Sequence, residues 1–383
     1  MNFRRDPAWT LVTYAGFAIL GLFLVWPLVT TFAYSFRGND GGFGLGGYAT
    51  FFKNRGYRDS LWNTLILGAV VTATSMVVGG ALAVLVARCR FRFAGWVAAL
   101  PLVTLVIPDV VVAAAWTLIL GQQGIVNTLL PAEYQVGSLY SWWGLIFVMT
   151  LNSYVYAFVM ILVGLKAMDR NLEEAAMSLG QPLHRVLTGV TLPLIMPSVF
   201  GAGLVVFTHV IGSFGIPAIL GARMPVLAVK AYNEFVSELG GNPQMQTIMA
   251  TILVMLGVAM LAVQKLLIER KQYQMEAGRT PVQIPISGVA GTIAAAVVVL
   301  VVVLSLAPAV VAVITAFTPS RGPVLSYGGF TTVHMMTALT KSAKPLWNSL
   351  ALAGIATVAG VVFSVAVAVS ERTERSTSAI SPK

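Results

Sequence analysis

Apolar positions fall in long unbroken runs separated by short polar connections. The runs cover residues 8–34, 61–86, 96–120, 143–165, 192–219, 246–267, 285–317 and 346–369. Each reaches the roughly 20 residues a helix needs to cross a bilayer, so the pattern predicts about eight spanning helices. The runs are continuous rather than alternating, which argues against the two-residue period of a membrane β-barrel. Pro27, Pro101, Pro108, Pro193, Pro197, Pro217 and Pro308 lie inside them. Membrane helices tolerate proline because neighbouring groups re-satisfy the freed carbonyls. The first run follows Arg4 and Arg5. It exceeds the roughly 7–15 apolar residues of a signal peptide and reads as an uncleaved signal anchor. The predicted fold class is an all-α polytopic membrane protein.

Composition strengthens this reading. Of 383 residues, 57% are hydrophobic and only 10% are charged, against roughly 25% charged in soluble domains. A soluble fold this apolar cannot cover its own surface. The net charge of +10 would point to nucleic acid in a soluble protein. Here the cations sit between apolar runs, so a bilayer is the expected partner and nucleic acid is not. With the N-terminus in the cytoplasm, the inside set holds Arg4, Arg5, Arg88, Arg90, Arg92, Lys166, Arg170, Arg185, Lys265, Arg270, Lys271, Arg279, Arg372, Arg375 and Lys383. The outside set is smaller, and the positive-inside rule predicts both termini in the cytoplasm. The single cysteine, Cys89, lies in Arg88-Cys89-Arg90-Phe91-Arg92. That basic setting would lower its pKa; an idle thiol at a helix end is the plainer reading.

The chain repeats itself. Asn63-Thr64-Leu65 opens the second run and Asn348-Ser349-Leu350 the eighth. Leu67, Thr72, Val77, Ala81, Ala83, Val84 and Arg90 recur as Leu352, Thr357, Val362, Ala366, Ala368, Val369 and Arg375. Upstream, Pro27 and Phe36 match Pro308 and Phe317, and Gly46-Gly47-Tyr48 matches Gly328-Gly329-Phe330. Residues 1–280 are therefore expected to form a first domain of about six spans, and 281–383 the start of a second copy with about two. The second copy stops before its third helix, as in a truncated or split gene product.

The connection between the fourth and fifth runs is more than a tether. It reads Asn171-Leu172-Glu173-Glu174-Ala175-Ala176-Met177-Ser178-Leu179-Gly180, then Gln181-Pro182-Leu183-His184-Arg185. Asn171 is the expected helix cap, with Glu174 completing a capping box. Gly180 is the expected terminator, and Pro182 the start of a second helix. Leu172, Ala175, Ala176 and Leu179 share one face at helical spacing. The result is a short capped helix offering a compact apolar knob outside the membrane.

Glu174-Ala175-Ala176, Gly180 after three residues, and Val190-x-Leu192-Pro193 after nine more resemble the cytoplasmic EAA signature of permease subunits of bacterial ABC importers. Val190 stands where that family usually has Ile. The resemblance implies that the loop 169–193 seats in a cleft of a separate ATPase, with Glu173, Glu174, Ala175, Ala176, Gly180, Leu192 and Pro193 as coupling residues. ATP-driven closure of the ATPase pair would then rock the membrane helices between inward-open and outward-open states. The chain holds no G-x-x-x-x-G-K-[ST] phosphate loop, so no cofactor is expected in it; ATP and Mg belong to the partner ATPase. The resemblance also implies an extracytoplasmic substrate-binding protein, a second permease half and a bacterial inner-membrane location.

The stretch from Thr208 to Tyr232 resembles two-copy permeases of ferric iron importers and their relatives for 2-aminoethylphosphonate, thiamine and polyamines. Ferric iron is the first expectation. The Gly-Pro texture of Gly212–Pro217 predicts a bent or broken helix, lining the path or kinked for packing. Asp109, expected near the middle of the third helix, and His209 are ionisable groups within spans. Such groups usually face the bundle interior or water. Asp109 would attract a cation or pair with a polar neighbour; His209 would touch substrate or bond within the packing. Asn152, Ser213 and Phe214 complete the candidate path. No His, Cys and carboxylate cluster has metal-ligand spacing. An ion-coupled secondary transporter would want more intramembrane charge. A membrane enzyme would need a nucleophile–base set that is missing here.

Overall fold

The computed structural model describes residues 7–38, 42–90, 94–237, 241–268, 284–285, 288–321, 324–325 and 329–378. The described residues are almost wholly helical. Eight helices are long and apolar enough to cross a membrane. By contacts the chain forms two units, Phe36–Thr315, and Met1–Ser35 with Ala316–Lys383.

The larger unit opens with a short helix, α3 (Gly46–Lys53), and the long α4 (Arg55–Arg88). The side-chain oxygen of Asn54 starts α4 by accepting from the backbone N–H groups of Gly56 at 2.8 Å and Tyr57 at 3.4 Å, satisfying donors the first turn leaves open. Next come α5 (Ala94–Ala99), a 3₁₀ segment (Leu100–Leu105), α6 (Asp109–Leu120) and α7 (Ile125–Leu129). The expected single span over 96–120 is thus interrupted. Pro108 is extended (ψ 138°) and stands as the cap of α6; lacking an N–H, it cannot carry a helical hydrogen bond from the 3₁₀ segment on into α6. Asp109 is accordingly the first residue of α6, not the middle of a helix.

The helix α8 (Trp142–Ala167) lies at the centre, with 67% of its spanning window buried. It is followed by α9 (Arg170–Ser178), α10 (Leu183–Val186), a π-helical turn (Leu187–Thr191), α11 (Leu192–Gly212), α12 (Gly215–Leu220), α13 (Leu227–Val236), α14 (Pro243–Ile268) and α15 (Gly288–Ala316). Backbones meet closely where glycine allows it. A Cβ on Gly79 of α4 would collide with the carbonyl of Tyr154 in α8, and one on Gly164 would lie 2.5 Å from Ser198 Oγ of α11. Close approach of this kind replaces the hydrophobic drive that lipid removes. Hydroxyls bond across the same seams: Thr74 to Thr150 and Tyr154 to Ser305 of α15, both at 2.6 Å. Each such bond contributes about 0.6 kcal/mol. Outward positions of α14 such as Met255, Val258 and Leu261 are exposed, as a lipid-facing surface requires.

The smaller unit contains α1 (Pro7–Leu20), a π-helical turn (Gly21–Val25), α2 (Trp26–Ser35), α16 (Val333–Lys341) and α17 (Ala343–Ser378); α1 packs on α17. Where the sequence reads a connection after residue 369, α17 stays helical to Ser378.

At positions the repeat aligns, Phe36 packs on Tyr48 at 5.1 Å, and Phe317 stacks on Phe330 at 5.6 Å. Gly328 lies outside the described residues. The two-residue strands β1 (Cys89–Arg90) and β2 (Ile284–Pro285) pair in parallel, and β3 (Ser320–Arg321) and β4 (Val324–Leu325) antiparallel.

Candidate functional site

The loop after α8 folds as its sequence demands, with one correction at its start. Asp169, not Asn171, caps α9; its carboxylate accepts from the Asn171 N–H at 3.0 Å. The earlier start places Leu172 at the third helical position, so no capping box forms with Glu174. The far end closes on Gly180, at φ +78°. Its N–H donates to the Met177 carbonyl at 2.9 Å and that of Gln181 to Ala176 at 3.2 Å, the paired bonds of a Schellman stop. Leu172, Ala175 and Leu179 are exposed, Leu179 at 84%. Glu174 and Ala176 are half-buried. The expected apolar knob is therefore present, ordered at both ends by its own backbone.

Glu173 behaves differently from its neighbour. It is fully buried, and both its oxygens accept from the guanidinium of Arg88, the last residue of α4, itself 5% exposed. Thr191 completes the group, donating to Glu173 Oε1 at 2.5 Å and accepting from Arg88 Nη2 at 3.2 Å. The π-helical turn explains how Thr191 comes to face inward. Pro193 has no N–H and would crowd the carbonyl four residues back. Widening the preceding turn relieves this, with the Leu192 N–H reaching Leu187 O, and turns Thr191 into the core. A π-helical turn also precedes Pro27, where the Trp26 N–H reaches Gly21 O. Leu192 is exposed and Pro193 half-buried. Neither Arg88 nor Thr191 is legible from the sequence as a partner of Glu173. The only signal is that Arg88 is the first of three arginines closing a long apolar run.

For Cys89, burial favours the plainer of the two readings, an idle thiol. Burial pushes its thiol above the usual range, because desolvation disfavours the thiolate.

The path candidates gather at the other end of α11. Asn152 Nδ2 donates to Asp109 Oδ1 at 2.9 Å, and Ser213 Oγ donates to Asp109 Oδ2 at 3.0 Å. Asp109 opens α6 where α11 breaks off, and a Cβ on Gly215 would sit 2.6 Å from the Asp109 Cβ. Two helix breaks thus meet on one carboxylate. His209 packs on Tyr156 at 4.6 Å, its Nε2 buried without a hydrogen-bond partner. Phe214 packs instead on Tyr232 at 4.7 Å. A small cavity beside Asn152 is lined by Thr104, Trp116, Leu151, Ser305 and Pro308.

Residues 75–314 match the family model described as binding-protein-dependent transport system inner membrane component. The chain is 26% identical over 342 residues to the probable ABC transporter permease protein y4fN of Sinorhizobium fredii, covering 84% of this chain and 58% of that one. It is 26% identical over 224 residues to the putative ferric transport system permease protein FbpB 1 of Haemophilus influenzae, covering 57% and 35%. It is 24% identical over 226 residues to the putative 2-aminoethylphosphonate transport system permease protein PhnU of Salmonella choleraesuis, covering 57% and 79%. The chain thus spans 58% and 35% of the first two relatives' lengths. A solved bacterial ABC transporter involved in the import of the acidic polysaccharide alginate shares the fold, with TM-score 0.58 and 16% identity over 70% of this chain and 97% of that one. The family model covers more than half of the sequence, and the chain belongs to the family of binding-protein-dependent transport system inner membrane components, the permeases of ABC importers.

Proposed function

We propose that this chain lines the translocation path of an ATP-driven importer and docks through α9 on a separate ATPase subunit, which binds ATP and Mg. The observation that carries the reading is the exposed apolar face of a helix capped at both ends. Leu172, Ala175 and Leu179 form that face, and among the described residues it is left exposed. In this reading Glu174, Ala176, Gly180, Leu192 and Pro193 shape the docking loop, residues 1–280 form one permease domain and 281–383 begin a second. The remaining partners are a second permease half, which supplies the other docking helix, and an external binding protein that selects the substrate. Both termini lie in the cytoplasm.

The proposed substrate is ferric iron. One relative is named for ferric transport. Asp109 supports a cation: among the described residues its hydrogen bonds come from the neutral groups Asn152 and Ser213, so its charge is left to attract one.

The test is association and uptake. Glu174→Ala and Gly180→Pro should each lose co-purification with the ATPase, and uptake with it. Normal ATPase association in both variants would overturn the docking reading. Uptake of labelled ferric iron, aminoethylphosphonate, thiamine and polyamine, each with its binding protein, decides the substrate.

A further inference from the structure

We propose that Arg88, Glu173 and Thr191 form the joint through which motion of the docking helix reaches the membrane helices. The proposal rests on the docking reading above and concerns a different set of atoms. Three elements end at this point: the membrane helix α4, the docking helix α9 and the π-helical turn that leads into α11. One carboxylate holds all three. Both oxygens of Glu173 take the Arg88 guanidinium, and the Thr191 hydroxyl bonds to the acid and the base at once.

Several features separate a joint from a simple tether. The pair is bidentate, so it fixes angle as well as distance. It is removed from water, Glu173 wholly and Arg88 at 5% exposure, so salt and solvent do not loosen it. Among the described residues Arg88 Nε is buried without a hydrogen-bond partner, and Glu173 and Thr191 are the acceptors that hold the guanidinium. The docking face points the other way: Leu172, Ala175 and Leu179 are exposed while Glu173 on the same helix is buried. Pulling on that face pulls Glu173, and with it both flanking membrane helices. Beyond the joint, α11 runs from Leu192 to Gly212, about 30 Å at the usual helical rise. It ends beside Ser213, which bonds to Asp109. A rigid helix with one end in the joint and the other at the path is a continuous mechanical route. In this reading Arg88, Glu173 and Thr191 are positioning residues.

The experiment uses the full chain assembled with its ATPase and binding protein in membrane vesicles. A reporter cysteine, Phe214→Cys in a Cys89→Ser background, is labelled with a membrane-impermeant maleimide, with and without ATP. The ATP-dependent change in labelling rate reports motion at the path whatever the substrate. Glu173→Gln should lose about tenfold of that change, within the span of typical coupling energies, while ATPase co-purification and ATP hydrolysis stay within about twofold of the parent. Thr191→Val, a milder change of similar shape, should lose part of it, and Thr191→Ser should restore it. If Glu173→Gln and Thr191→Val both respond to ATP like the parent, the joint is overturned and docking stands. If Glu173→Gln fails to fold, Thr191→Val and Thr191→Ser carry the test. If Glu173→Gln loses the ATPase as fully as Leu179→Asp does, Glu173 only holds the docking face and the joint is overturned. Failure of the parent chain to bind any ATPase overturns both readings together.

Discussion

The helix α11 has a polar group at each end, and the two are built on opposite principles. At its start, Glu173 meets Arg88 and Thr191 in a buried, charge-balanced set. At its end, Asp109 meets, among the described residues, the neutral partners Asn152 and Ser213, and is half-buried. A paired buried charge is costly to break, because removing one partner strands the other in low dielectric. A carboxylate held by an amide and a hydroxyl keeps its net charge available. The first arrangement suits a fixed connection and the second suits contact with something that passes.

The largest expected effect is at the start of α11. Glu173→Ala should lower stability by about 3–5 kcal/mol, read as thermal unfolding of the detergent-solubilised chain. An equal loss from Asp109→Asn would erase the contrast between the two ends.

Next comes Gly180, at φ +78°. Gly180→Ala forces a Cβ into the left-handed region and should cost about 1–2 kcal/mol, measured in the same melt. An unchanged melt would mean the stop of α9 is made elsewhere.

Asp109→Asn keeps a donor and an acceptor for Ser213 and Asn152. It should change stability by less than about 1 kcal/mol while lowering uptake of labelled ferric iron, with ATPase co-purification unaltered. Full uptake by this variant would remove Asp109 from the path.

Ser213→Ala should cost only about 0.6 kcal/mol. A double-mutant cycle with Asp109→Ala, which removes both oxygens, isolates that bond, and a coupling as large as that at Glu173 would break the comparison.

The smallest effect concerns Cys89, beside the start-side group. Burial raises its thiol pKa, so less thiolate is present near neutral pH. Its maleimide labelling should be slower than that of an exposed cysteine at pH 7 and should rise as pH rises through the thiol's own pKa. Fast labelling at neutral pH would instead support the lowered pKa that its arginine neighbours predict.

The spans were legible because a bilayer leaves a helix few alternatives: every backbone polar group must be satisfied within the segment. The stop at Gly180 follows from local backbone preference alone. The start at Asp169 was misplaced by two residues because Asp and Asn compete as caps, and both stand within reach. The interruption before Asp109 lay in Pro108, which the sequence displays but length counting passes over.

The sequence by itself determined the solvent, the number of spans, the capped helix after the fourth span and the residues worth watching. Those properties depend on hydrophobic run length and on contacts within a turn or two of the chain. Only the tertiary structure decided that Glu173 turns inward to Arg88 across 85 residues of sequence, and that Asp109, Asn152 and Ser213 share one hydrogen-bonded group. Such pairings are set by which helices pack together and how each is rotated. A proline that widens one turn is enough to aim Thr191 at a charge far away in sequence.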